Sequence, residues 1–105
     1  MDKKSAINIA KRFIKELPKD LSVKKVYLFG SYTKGAGHED SDIDIAVIFE
    51  DVKDYFSVQL LLMRIRRNID LRIEPHPFAE RDFNENDSLV CEILKKGVEL
   101  DVFEH

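Results

Sequence analysis

The feature that most constrains this chain is a single passage, residues 26–47. The apolar run Val26-Tyr27-Leu28-Phe29 enters a loop of small and turn-forming residues, and the chain leaves that loop as Asp42-Ile43-Asp44-Ile45-Ala46-Val47. Side chains two apart on a strand share a face. With residues 42–49 as a strand, Asp42 and Asp44 stand together on one face, and Ile43, Ile45, Val47 and Phe49 on the other. Two carboxylates held that close repel each other unless positive charge sits between them. A divalent cation answers that need, and hard oxygen donors suit magnesium. The loop ahead of them carries Gly30, Gly35 and Gly37. Glycine opens backbone conformations closed to other residues and lets a ligand approach the main chain.

The rest of the chain reads as alternating helices and strands. Ile7, Ala10, Phe13, Ile14 and Leu17 recur at helical spacing, with Asp2 or Ser5 placed to cap the start and Pro18 to close the pattern. Residues 23–29 and 42–50 read as strands. Asp54 caps a second helix running to about residue 68, with Tyr55, Val58, Leu62 and Ile65 in one stripe that Phe56, Leu60 and Met63 widen. So wide an apolar face fits a well-buried helix, or one that also meets a partner. Residues 68–75 return to period two, with Ile69, Leu71 and Ile73 facing one way and Asp70, Arg72 and Glu74 the other. Acids on a strand face point to a site, and Pro75 and Pro77 are expected to end this strand. A short helix follows from Asp87 or Ser88, holding Leu89, Val90, Ile93 and Leu94 and closed by Gly97; Val98, Leu100 and Val102 make a last strand. The order implies an α/β domain, a mixed sheet of about four strands with helices packed on one face and Asp42, Asp44 and Asp70 on the opposite side.

Composition narrows the function classes. A chain of 105 residues with 44% apolar residues supports one core. The lone cysteine, Cys91, excludes an internal disulfide framework and fits a reducing compartment. No apolar run approaches the roughly 20 residues that span a bilayer, and the charged N-terminus lacks a signal-peptide pattern, so no membrane association and a cytoplasmic location are expected. Twenty acidic against 17 basic residues give a formal charge of −3, which carries no strong nucleic-acid signal. His38 reads as a solvated loop residue, and His76, between prolines, as structural or bordering a ligand. No Ser-His-Asp or Cys-His pairing is suggested by spacing.

Several motifs together resemble one family. They are Leu28-Phe29-Gly30-Ser31-Tyr32, Ser41-Asp42-Ile43-Asp44-Ile45-Ala46-Val47, Ile69-Asp70-Leu71 and Ile93-Leu94-Lys95-Lys96-Gly97-Val98. In that combination they resemble the DNA polymerase β-type nucleotidyltransferases, and within them the minimal nucleotidyltransferases. The resemblance implies one domain over residues 1–105 with the nucleotidyltransferase fold. It implies transfer of AMP from ATP, or another NMP from its NTP, to a hydroxyl with two Mg2+ ions. By resemblance Asp42 and Asp44 bridge both metals and Asp70 completes the set, with Glu74 as the alternative third acid. Gly30 and Ser31 hold the triphosphate, and Lys34 adds charge where the family frequently has arginine. The chain shows no acceptor domain, so the acceptor surface is expected from a partner or a second copy. Minimal nucleotidyltransferases often pair with a helical HEPN toxin and act as its antitoxin by adding AMP to a tyrosine. The alternatives are a non-catalytic antitoxin with a nucleotide-sensing site, and a small-molecule adenylyltransferase.

Overall fold

The structure, a computed structural model, describes residues 2–30 and 42–102. Helix α1 spans Lys3–Lys15, and its start is fixed by Asp2, whose carboxylate accepts from the Ser5 N–H at 2.8 Å. Strand β1 covers Val23–Phe29 and β2 covers Ile43–Phe49. Helix α2, Tyr55–Arg66, is capped by Asp54, which accepts from the N–H groups of Phe56 and Ser57. Strand β3 is Ile73–Ala79, helix α3 is Ser88–Lys96 under an Asp87 cap, and β4 is Val98–Leu100. The sheet order is β3-β2-β1-β4, with β2 and β3 parallel and the other two pairs antiparallel. This is the expected mixed four-stranded sheet.

Both faces of the sheet are covered, which departs from the expectation of helices on one side. The first face carries Val26, Leu28, Ile43, Ile45, Val47 and Ile73 against Ala6, Ala10 and Phe13 of α1 and Leu62 of α2. The second carries Tyr27, Phe29, Ala46 and Ile48 against Ile93 of α3, with Phe78, Phe83 and Leu89 at its border. The sign of this was in the sequence. Val26-Tyr27-Leu28-Phe29 and the run from Ile45 to Phe49 are continuous rather than alternating, as strands buried on both faces are. Gly97 ends α3 as expected, but with φ −75° it is not a left-handed cap. Its missing side chain serves close packing: a Cβ there would lie 2.6 Å from the Ile93 carbonyl oxygen and 3.3 Å from that of Leu28.

Strand β3 begins at Ile73, near the end of the strand expected over residues 68–75. Residues 68–72 form a turn, and Pro75 and Pro77 lie inside the strand instead of ending it. They are tolerated because β3 is an edge strand, where a proline forfeits no ladder bond. Helix α2 satisfies three further groups on that edge. Arg66 donates to the Ile73 carbonyl at 2.8 Å, Gln59 donates to that of Pro75 at 3.2 Å, and the Tyr55 hydroxyl accepts from the Ala79 N–H at 2.8 Å. An edge with several of its groups engaged in this way is less open to pairing with another chain. The broad apolar face expected of α2 is only partly used: Leu62 is buried, whereas Phe56 is 72% and Leu60 48% exposed.

Candidate active site

The second face of the sheet has an apolar end under α3 and a polar end at the start of β2 and β3. Asp44 opens the polar end. Its register partner on β1 is Phe29, and on β3 it is Glu74. Register partners project from the same side of a sheet, so Asp44 and Glu74 are neighbouring acids from two strands. Asp42 is exposed, one residue ahead of β2 and two before Asp44; alternation continued one residue beyond the strand would put it on the same face.

Gly30 explains how Asp44 fits. It follows β1 with φ +93°, a conformation that side-chain-bearing residues rarely adopt. A Cβ at this position would lie 2.5 Å from Asp44 Oδ2, so the Asp44 carboxylate occupies the volume that a side chain would need. On its other oxygen, Oδ1, Asp44 meets His76 Nε2 at 3.1 Å. The His76 ring packs at a tilt on Phe29, with centroids 5.1 Å apart. The sequence reading left His76 between a structural and a bordering role. It stands two residues after Glu74 on the same face of β3, which the expected end of the strand at Pro75 hid.

Asp70 stands apart from this group. It lies in the turn after α2, where its N–H donates to the Arg66 carbonyl at 2.9 Å. One carboxylate oxygen accepts from the Arg72 backbone N–H and Nε, both at 2.9 Å, and the other from Arg72 Nη2 at 2.6 Å. The Asp70 side chain is 16% exposed. The Arg72 hydrogen bonds hold its carboxyl below the ordinary carboxylate range against the opposing effect of burial, and Arg12 on α1 adds to the lowering. The structure thus joins Asp44 to Glu74 and His76, and leaves Asp70 with Arg72. Ser31 and Lys34, expected at the phosphates, lie outside the described residues.

The donor set fits a hard divalent cation by chemistry, since Asp42, Asp44 and Glu74 offer only carboxylate oxygens. As the side chains stand, no group of three or more His, Cys, Asp and Glu residues among the described residues is gathered closely enough to hold a metal. Glu74 rests 3.8 Å from Arg66 and is 44% exposed, and Asp42 is exposed as well, so both can reorient toward Asp44 without disturbing the core.

The site is thus a four-stranded mixed sheet with a glycine pressed against the first strand acid and a second acid in register beside it. The chain belongs to the nucleotidyltransferase domain family, which it matches over residues 8–102. It is similar to the protein adenylyltransferase MntA of Thermococcus cleftensis, 35% identical over 60 residues, 57% of this chain and 61% of that protein. It also resembles the MntA of Shewanella oneidensis, 39% identical over 49 residues, 47% of this chain and 35% of that protein. In both, the matched stretch spans less than two thirds of the relative's length. A crystal structure of a toxin–antitoxin with AMP-PNP shares the fold, with a TM-score of 0.62 at 24% identity over 93% of this chain and 73% of the other. No helix among the described residues is long and apolar enough to cross a membrane.

Proposed function

We propose that this chain transfers AMP from ATP to a hydroxyl of a partner protein, a tyrosine of a HEPN-type toxin, as the antitoxin of the pair. The observation that carries this reading is the in-register pairing of Asp44 with Glu74 beside Gly30, in a chain of the nucleotidyltransferase family. The relatives named protein adenylyltransferase support a protein as the acceptor, and the toxin–antitoxin complex of the same fold is the ground for proposing a toxin as that protein.

In this reading Asp42, Asp44 and Glu74 hold Mg2+. Glu74 takes the third place in preference to Asp70, because both Asp70 oxygens are engaged by Arg72 and Asp70 precedes β3. When bound, Mg2+ neutralises charge at the attacking and departing oxygens. Gly30 leaves room for the triphosphate to approach the backbone, and Ser31 and Lys34 add a hydroxyl and a positive charge. The acceptor oxygen bonds to the α-phosphorus as the bond to pyrophosphate breaks, and the hydroxyl proton passes to a carboxylate of the open face.

One observation favours a second reading, an antitoxin that acts by contact only. Three of the four acids already have a nitrogen partner: Asp44 has His76, Glu74 has Arg66 and Asp70 has Arg72. Incubation with labelled ATP, Mg2+ and the HEPN-type partner separates the two. The expected result is label on the partner, lost when Asp42→Asn and Asp44→Asn are combined. Neutralisation of the toxin that survives the double substitution, with no label moved by the unaltered chain, establishes the contact reading instead.

A further inference from the structure

We propose that His76 is the positioning residue of Asp44: it fixes the carboxylate before any cation arrives, and through it sets the affinity of the site. The inference rests on the reading of Asp44 as a metal-binding carboxylate. Three observations converge on it. First, His76 Nε2 is 3.1 Å from Asp44 Oδ1. A carboxylate accepts and does not donate, so Nε2 carries the hydrogen and points it at Oδ1. Second, the imidazole cannot swing freely. It packs on Phe29, whose Cα partner across the ladder is Asp44 itself. Its backbone is flanked by Pro75 and Pro77, which restrict the chain on either side. Third, Gly30 bounds the opposite oxygen: the carboxylate fills the place of a side chain there, so movement away from His76 is limited by the main chain.

Asp44 is therefore held from both sides, by a hydrogen bond on Oδ1 and by the close backbone on Oδ2. His76 leaves other lone pairs of the carboxylate free for a cation. Groups that orient a metal-binding side chain from behind change metal affinity or activity by about 10–100-fold when removed. The prolines also acquire a purpose in this account. They cost the edge strand nothing and stiffen the backbone that carries the imidazole.

The test is Mn2+ binding to the purified full chain, read as loss of the free-ion electron paramagnetic resonance signal, with ATP and without it. His76→Phe keeps a ring against Phe29 and removes the donor; His76→Gln restores a donor near the position of Nε2. The expected result is about a tenfold rise in the Mn2+ dissociation constant for His76→Phe, with His76→Gln within about threefold of the unaltered chain. Melting temperatures monitor folding, and His76→Ala replaces His76→Phe should the latter fail to fold. Equal losses in His76→Phe and His76→Gln overturn the proposal, because the ring and not its hydrogen bond then matters. Asp44→Asn separates the two levels of the argument. If it abolishes Mn2+ binding while His76→Phe binds normally, the positioning role fails and the carboxylate site stands. If Asp44→Asn binds Mn2+ unchanged, the carboxylate reading itself falls.

Discussion

The two faces of this sheet are built from the same strands and serve opposite ends. On the first, Ile43, Ile45 and Val47 of β2 are sealed beneath α1 and α2 together with Val26, Leu28 and Ile73. On the second, β2 starts with Asp44, passes through Ala46 and Ile48, and is covered only at that apolar end by α3. One strand thus carries a core seam and a polar site at alternate positions. The sealed face supplies rigidity, and the open end supplies chemistry whose geometry that rigidity holds. The difference teaches where a substitution should act: on the sealed face it should change stability alone, and at the open end chiefly transfer.

The largest effect belongs to the sealed face. Ile45 is fully buried, so Ile45→Ala is expected to cost about 2–5 kcal/mol in a urea titration. Transfer per folded molecule should be unchanged. A loss of transfer without a loss of stability would break the division between faces. Gly30→Ala comes next and crosses the boundary. At φ +93° a side chain costs about 1–2 kcal/mol of backbone strain. The new Cβ also collides with Asp44 Oδ2, and a displacement on the order of 1 Å lowers transfer about 100-fold. Measured together, stability and transfer should both fall, with transfer falling more.

The same contrast explains what could be read in the sequence. The sealed face was legible because periodicity reports burial directly. The spacing of Ala10, Phe13 and Leu17, the strand from Val23 to Phe29 and the helix after Asp54 all follow from apolar pattern and caps. The Asp42-Ile43-Asp44 motif was legible for the same reason, since alternation on a strand fixes which side chains share a face. The start of β3 was not. Ile69, Leu71 and Ile73 alternate like a strand, but Leu71 is 67% exposed, and the segment is a turn closed by Asp70 on Arg72. Asp and Arg two residues apart can form a local clamp or face a site together, and sequence spacing does not separate the two. Pro75 and Pro77 misled in turn, because a proline signals a strand's end unless the strand lies at an edge, and edge position is a property of the whole sheet. The covering of the second face by α3 was recoverable from the unbroken apolar runs in β1 and β2. The contact of His76 with Asp44 depended on the register of β3, and so waited on its boundaries.

The two candidate third acids carry the comparison to its finest point, because they lie four residues apart and the structure gives them different neighbours. Glu74→Gln should reduce transfer by about tenfold or more with little change in stability, since its side chain is 44% exposed and its 3.8 Å contact with Arg66 is long for an ion pair. Asp70→Asn should do the reverse, leaving transfer intact and costing about 1 kcal/mol, the net worth of a charge-assisted bond whose arginine is one third exposed. That cost has a pH signature. The Asp70 carboxyl is held below its ordinary value, first by the Arg72 hydrogen bonds, so its contribution is complete above the unfolded carboxylate range, about pH 4, and disappears as pH falls through the lowered folded value. Urea midpoints for the unaltered chain and Asp70→Asn should therefore differ at pH 7 and converge below about pH 4. A constant gap across that range would detach the stabilisation from the Arg72 pair. A loss of transfer in Asp70→Asn, with Glu74→Gln still active, would return Asp70 to the third place among the carboxylates and move the site's boundary back into the turn before β3.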